Sequence, residues 1–179
     1  MLINRINLSC GLAWEAVPRH LTAHDLSDTR IDRLVSCLDT RASRREVATC
    51  LERSCRVICH LDLGNLRDCG QVVLGAALGY YNRRAKDRLR TAYELFPELT
   101  DISIPEDDTP SCSTMEALEK QDLFVNDTLV TSALALLWRL LRHGEIAHHG
   151  SFVDLKTGSV RPLPIDPALW RRLQRQRRR

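Results

Sequence analysis

Aromatic residues are scarce in this sequence, and it has no long uncharged apolar run. Three Trp, three Tyr and three Phe make up 5% of its 179 residues. The longest apolar stretch, residues 128–141, contains Arg139, and it falls short of the roughly 20 residues that a membrane-spanning helix needs. Charged and amide residues interrupt the first 16 positions, so no secretory signal peptide is expected. We therefore predict a protein that is neither secreted nor inserted in a membrane.

The seven cysteines show neither a disulfide framework nor a Cys-x-x-Cys pair. An odd number of irregularly spaced cysteines favours reduced thiols in the cytoplasm or nucleus. A zinc site is the alternative interpretation of one cluster of possible ligands, formed by Cys50, Cys55, Cys59, His60 and Cys69. On a helix, the first three of these residues would point in different directions. We interpret the cluster as core residues and predict neither a metal nor another cofactor.

No spacing in the sequence is typical of a catalytic site. Cys10, His148 or His149, and Asp154 occur in the order of a Cys-His-Asp protease. A nucleophile also needs a base within hydrogen-bond distance, and separation along the sequence does not provide one. We predict that the protein is not an enzyme.

Positive charge is concentrated at the C-terminus. The net charge is +3, and six arginines lie in the last nine residues: Arg171, Arg172, Arg175, Arg177, Arg178 and Arg179. Without these six, 20 of the 26 Lys and Arg residues remain against 23 Asp and Glu. We predict one domain over residues 1–170 and a disordered basic tail over 171–179, which serves localisation or nucleic-acid contact.

Apolar spacing predicts an all-α fold. Residues that recur three and four positions apart predict four amphipathic helices, over 31–38, 43–60, 65–80 and 89–96. Ser43 with Glu46, and Ser113 with Glu116, resemble capping boxes. Gly75 in the third helix predicts the close approach of another helix, or a break. The acidic segment 97–113 holds three prolines and is predicted as a loop, whereas 151–163 is predicted as a small hairpin or extended turn.

The most hydrophobic segment, residues 126–143, is predicted to be the central helix of a bundle. Apolar side chains surround nearly its whole circumference, which is typical of a helix that other helices cover. Basic residues followed by Gly144 predict its end. Asp166 and Pro167 then predict the start of a last short helix.

Three short strings resemble the adenoviral small T-antigen family, whose members are Bcl-2-like inhibitors of apoptosis. The strings occur in the same order in both, and they are Leu61-Asp62-Leu63-Gly64, Leu137-Trp138-Arg139 and Ser159-Val160-Arg161-Pro162. The loop at 97–113 would be an insertion relative to that family, and the chain has no clear Asn-Trp-Gly-Arg element. The resemblance implies a Bcl-2-like helical bundle.

The same resemblance implies a non-enzymatic early viral protein that sequesters Bak- or Bax-type host proteins, in the host cytoplasm or nucleus. Such a protein binds the partner's amphipathic helix in a hydrophobic groove. The implied groove residues are Leu61, Leu63, Gly64, Val73, Leu134, Trp138 and Arg139. The alternative is a small nucleic-acid-binding protein, of the kind that suppresses RNA silencing, which uses the basic tail.

Overall fold

The computed structural model of the chain contains a five-stranded mixed sheet with helices on both faces. The structure describes residues 2–20, 22, 26, 31–53, 56–79, 81–85, 87–106 and 123–176. The predicted all-α bundle is therefore wrong, because a sheet rather than a helix occupies the centre of the fold.

The described helices and strands follow one another along the chain without an internal repeat. In order they are α1 (Leu2–Cys10), β1 (Arg33–Cys37), α2 (Arg41–Arg53), β2 (Cys59–Asn65), β3 (Cys69–Ala76), α3 (Ala92–Leu95), a 3-10 turn (Pro97–Thr100), α4 (Val125–His143), β4 (His148–Asp154), β5 (Ser159–Pro164) and α5 (Pro167–Gln176).

The strands lie in the sheet in the order of the chain, from β1 at one edge to β5 at the other. β1 and β2 are parallel, so α2 serves as the crossover between them. The other neighbours are antiparallel, with Asp62 opposite Val73 and Val73 opposite Gly150. β2, β3 and β4 are thus the inner strands, each paired with a neighbour on both sides.

Alternation along β2 explains why the sheet is covered on both faces. Leu61 and Leu63 point to one face, and His60 and Asp62 point to the other, yet all four are buried. The face with the leucines packs against α4, through Leu129 and its neighbours on that helix. The opposite face packs against α2, α3 and α5.

Strands β1 and β3 replace two predicted helices, over 31–38 and 65–80, and both predictions are wrong. Short apolar runs fit the periods of a helix and of a strand, and pairing with β2 decides between them here. The predicted close approach at Gly75 is present, but Gly75 lies on a strand and not on a helix. A methyl group on Gly75 would lie 2.4 Å from Thr91 Cα, so the backbone that precedes α3 packs directly on the strand.

The predicted helices over 43–60 and 89–96 exist in shorter form, as α2 and α3. Thr40 rather than Ser43 caps α2, since the Ser43 amide donates to Thr40 Oγ1 over 3.2 Å. A capping box that we did not predict joins Thr91 and Glu94 at the start of α3. The predicted box at Ser113 lies outside the described residues.

The most hydrophobic helix is confirmed as α4, and it ends as predicted at Gly144, which has a left-handed φ of 74°. Its predicted central position is wrong. α4 lies on one face of the sheet, and Leu134 and Trp138 are 59% and 64% exposed. Only the half of the helix that faces the sheet is buried, because no second layer of described residues covers its outer side.

The hairpin predicted over 151–163 is confirmed as β4 and β5, with Gly158 in the turn at a φ of 65°. The last helix is confirmed as α5, where Asp166 accepts a hydrogen bond of 2.8 Å from the Ala168 amide. α5 extends through Gln176 into the predicted tail, and residues 177–179 lie outside the description. None of the described helices is long and apolar enough to cross a membrane.

The one-sided packing of α4 predicts unequal effects of two leucine truncations. Leu129→Ala removes a side chain that is 2% exposed, and it should lower the unfolding free energy by about 2–5 kcal/mol. Leu134→Ala removes an exposed side chain and should cost less than about 1 kcal/mol. Urea unfolding of both variants measures the difference, and equal losses would contradict this placement of α4.

Candidate functional site

The outer face of α4 carries a continuous line of exposed apolar side chains. They are Val130, Leu134, Trp138 and Leu141, with exposed fractions of 45%, 59%, 64% and 57%. Spacings of four, four and three residues place these side chains on one side of a helix. We call this line the α4 stripe.

The α4 stripe lies opposite the buried half of the helix, where Val125, Leu129, Ala133 and Leu136 contact the sheet. The stripe extends about 16 Å along the axis, since each residue of a helix rises about 1.5 Å. Exposed arginines stand beside its C-terminal end, at Arg139 and Arg142. The helix therefore presents an apolar surface of about three turns with positive charge at one end.

A buried polar network lies on the opposite face of the sheet. Ser36 on β1 donates to Asp62 Oδ1 over 2.8 Å, and Tyr93 on α3 donates to the same oxygen over 2.8 Å. His60 Nε2 lies 2.7 Å from Ser36 Oγ. Because the Ser36 proton is used on Asp62, the assignment that satisfies all contacts has His60 donating from Nε2 to Ser36 Oγ.

Burial sets the protonation of this network. Burial lowers the pKa of His60 to about 4, and the neighbouring Asp62 only partly opposes that effect. Burial also raises the pKa of Tyr93, with the Asp62 carboxylate acting in the same direction. At neutral pH the network thus holds a neutral imidazole and a protonated phenol. These groups are at most 7% exposed, so the network serves to join elements rather than to meet a solvent-borne substrate.

Two atoms of the network have no hydrogen-bond partner among the described residues, namely His60 Nδ1 and Asp62 Oδ2. A buried polar atom without a partner typically costs about 1–3 kcal/mol. Two further buried atoms share this state, Arg44 Nε and Gln71 Nε2. Unlike the first two, they belong to residues that line a large pocket.

The pocket lies at the end of the sheet where the parallel strands β1 and β2 finish, on the face covered by α2. Its volume is about 980 Å³. Its lining combines Arg44 and Gln71 with apolar groups and with carboxylates near its mouth.

The seven predicted groove residues lie in four separate places. Leu61 and Leu63 are buried beneath α4, while Val73 is buried on the other face of the sheet. Gly64 lines the pocket. Leu134, Trp138 and Arg139 are exposed on the outside of α4. The fold therefore unites only the last three on one helix, and it places the first four inside the sheet.

The Cys-His-Asp order noted in the sequence has one member at the surface and another in the core. Cys10 is exposed at the end of α1, whereas His149 is buried on β4. Both ring nitrogens of His149 have partners, since Nδ1 lies 3.0 Å from the Leu74 carbonyl and Nε2 lies 3.1 Å from Trp170 Nε1. This imidazole is thus held by the core.

The cysteine cluster divides among three elements. Cys50 is buried on α2, Cys59 and Cys69 lie on β2 and β3, and Cys55 is outside the description. Burial raises the pKa of the Cys59 thiol, which disfavours the thiolate that zinc requires. Within the part of the chain that the structure describes, no three Cys, His, Asp or Glu residues are grouped to hold a metal ion.

Three of the six arginines of the predicted basic tail belong to α5. Arg171 and Arg172 are exposed on that helix, and Arg175 belongs to its last turn. Arg177, Arg178 and Arg179 lie beyond the described residues.

Sequence reasoning missed the buried network and the pocket. One available signal was the alternation in β2, where His60 and Asp62 are interleaved with Leu61 and Leu63. Polar residues at every second position of an apolar segment are typical of a strand with two different faces. No signal of comparable strength marks Arg44 or Gln71, because their burial depends on the packing of α2 on the sheet.

The neutral, buried His60 predicts a loss of stability in mild acid. Its pKa is about 4 when folded and about 6.5 when unfolded, so the unfolded chain binds more protons between these values. The unfolding free energy should therefore fall as the pH drops from about 6.5 to about 4, by roughly 3 kcal/mol from this residue. Urea unfolding at a series of pH values measures the slope.

In the variant His60→Gln, the slope should be reduced but not abolished, because burial also lowers the pKa of His149. His143→Gln, at an exposed position on α4, controls for the loss of one histidine. An unchanged slope in His60→Gln would show that this imidazole is not the titrating group.

Comparisons with known proteins leave these sites without a family assignment. No protein-family model matches the chain, and no curated protein sequence matches it significantly.

Proposed function

We propose that the chain is a non-enzymatic interaction protein that binds an amphipathic helix of another protein along the α4 stripe. The observation that carries this proposal is the set of four large apolar side chains, each 45–64% exposed, on one line of a long helix. Single exposed apolar residues are common on protein surfaces, but a continuous line of them marks an interaction surface.

The position of α4 supports a role in binding rather than in folding. Its buried residues already fill the contact with the sheet, so the α4 stripe adds nothing to that core. Solvation of Leu134 and Trp138 carries a free-energy cost that a partner's apolar surface would relieve. Trp138 lies within the stripe, and tryptophan is among the residues that most often dominate binding energy.

The length of the α4 stripe and the charge at its end define the partner. A stripe of about 16 Å matches about three turns of a second helix, whose own apolar residues recur three and four positions apart. Arg139 and Arg142 favour an acidic residue at the end of that helix which meets them. The death-promoting helices of Bak- and Bax-type proteins are amphipathic helices of this class, and the resemblance described above makes them the first partners to test.

The proposal differs from the groove expected from sequence. A bundle would surround the partner with helices, whereas a helix on one face of a sheet offers a single exposed face. Affinity should thus depend on a few large side chains of the stripe, and little on Leu61 or Leu63, which lie beneath α4.

Glutamate in the α4 stripe should weaken binding of the partner helix. A fluorescein-labelled peptide of a Bak-type helix should bind the whole chain with a dissociation constant in the micromolar range, measured by fluorescence anisotropy. Trp138→Glu or Leu134→Glu should weaken this binding at least tenfold, or about 1.4 kcal/mol, because the charge must be buried against an apolar partner.

The matched control is Ala135→Glu, which places the same charge at an exposed position of α4 beside the stripe. It should retain most of the affinity. No binding at several tens of micromolar argues against a Bak-type partner, and equal binding by the stripe and control variants argues against the stripe itself. A dimer that Trp138→Glu dissociates, detected by light scattering, would identify a second copy as the occupant.

A further inference from the structure

We propose that the pocket beside α2 binds a small molecule through one oxyanion group, a phosphate monoester or a carboxylate, held by Arg44 and Gln71. This site is on the opposite face of the sheet from the α4 stripe, and it is independent of the function proposed above. Its volume of about 980 Å³ is within the range of pockets that enclose small ligands.

Two buried donor groups in this pocket have no acceptor. Arg44 is only 9% exposed, and its Nε has no partner among the described residues. The same holds for Gln71 Nε2. Arg44 and Gln71 both line the same pocket, and a guanidinium and an amide that both donate are complementary to an anion with several acceptor oxygens.

The side chains of Arg44 and Gln71 come close together beside Gly64. A methyl group on Gly64 would lie 3.1 Å from Arg44 Nη2 and 3.5 Å from Gln71 Nε2. The Gln71 amide is therefore near the end of the guanidinium whose Nε has no partner among the described residues. A turn of the Gln71 amide that pointed its oxygen at Arg44 would satisfy one donor, but it would leave the guanidinium charge without a counter-ion.

The other arginine of α2 that lines the pocket is already paired. Arg41 contacts the Glu106 carboxylate through its side chain, and its backbone amide also donates to that carboxylate. The N-terminus of α2 thus has an internal anion, whereas Arg44, one turn further on, forms no ion pair with a described carboxylate. Arg161 on β5 also lines the pocket, but it is exposed, so Arg44 is the buried arginine of the pocket that forms no ion pair with a described carboxylate. This difference assigns the oxyanion to Arg44.

The remaining lining defines the body of the ligand. Leu66, Leu99 and Phe152 offer apolar surface for an aliphatic or aromatic group. Asp39 and Glu98 also line the pocket, at exposed positions. They repel further negative charge, so the site favours one oxyanion on an uncharged or cationic body and disfavours polyanions.

The rival interpretation makes Arg44 a counter-charge for the buried Asp62. Asp62 Oδ2 also has no described partner, and the charge of Arg44 reaches the Tyr93 hydroxyl that binds Asp62. No hydrogen bond or ion pair joins Arg44 to Asp62 among the described contacts. An experiment must nevertheless separate a role in ligand binding from a role in stability.

Isothermal titration with phenyl phosphate, phenylacetate, benzyl alcohol and inorganic pyrophosphate tests the site on the whole chain. Phenyl phosphate or phenylacetate should bind saturably, and benzyl alcohol, which has the aromatic ring without the charge, should not. Binding of the first alone assigns a phosphate, and binding of the second alone assigns a carboxylate. Pyrophosphate should bind at least tenfold more weakly than the better aromatic anion.

Three variants locate the binding. Arg44→Met and Gln71→Met remove donors, and Gly64→Ala places a methyl group between them, so each should weaken binding at least tenfold. Arg45→Met is the control, because Arg45 is the next arginine of α2, is exposed and does not line the pocket. The affinity of Arg45→Met for the aromatic anions should equal that of the unaltered chain.

Three outcomes would overturn the proposal. One is the absence of saturable binding of both aromatic anions at millimolar concentration. Another is equal affinity of Gly64→Ala, Gln71→Met and Arg45→Met for the aromatic anions. These three variants are informative even if Arg44→Met fails to fold. The last combines two results. Arg44→Met would lower the unfolding free energy, and adding Asp62→Asn would restore it, while Gln71→Met and Gly64→Ala would bind the aromatic anions as the unaltered chain does.

Discussion

A carboxylate buried in the middle of the sheet is the constraint on which the arrangement of one whole face depends. Asp62 is fully buried on β2, and a charge in that position is tolerated only when hydrogen bonds replace water. Its donors come from two other elements, Ser36 on β1 and Tyr93 on α3. The carboxylate thereby fixes the edge strand and the short helix relative to the central strand, and His60 extends the network by one contact with Ser36.

The same constraint shapes the pocket. β1 leads directly into the turn before α2, so the position of β1 sets where Arg44 enters the face of the sheet. The Arg44 side chain then lies beside Gly64, which is two residues beyond Asp62 near the end of β2. The polar half of the fold consequently has two kinds of unpartnered atom among the described residues. In the closed network they are acceptors, His60 Nδ1 and Asp62 Oδ2, whereas in the residues that line the pocket they are donors, Arg44 Nε and Gln71 Nε2. The unpartnered donors are the physical basis for the ligand site proposed above.

The other face of the sheet depends on apolar contact alone. α4 covers Leu61, Leu63, Val72 and Leu74 with one half of its surface, and its second half carries the α4 stripe beside polar residues. A helix that lay between two layers would use both halves for folding. On a single sheet face only one half is used, which is why the α4 stripe is available to a partner.

Particular residues show how far sequence reasoning reached. It identified α4 and its end at Gly144, the hairpin around Gly158 and the start of α5 at Asp166, because each signal is contained in a few consecutive residues. It mistook β1 and β3 for helices, because their apolar residues satisfy both periods and the deciding hydrogen bonds come from β2. That error turned a mixed sheet into a bundle.

The sequence by itself therefore determined the local elements with strong capping or turn signals, the composition of α4 and the basic end of the chain. Only the tertiary structure decided which half of α4 is buried, since large apolar residues lie on both sides of this helix and neither side is preferred until a sheet is placed against one of them. Tertiary structure likewise decided that Arg44 and Gln71 converge over Gly64. Residues so far apart along the chain acquire a shared chemistry only when β2, β3 and α2 pack together.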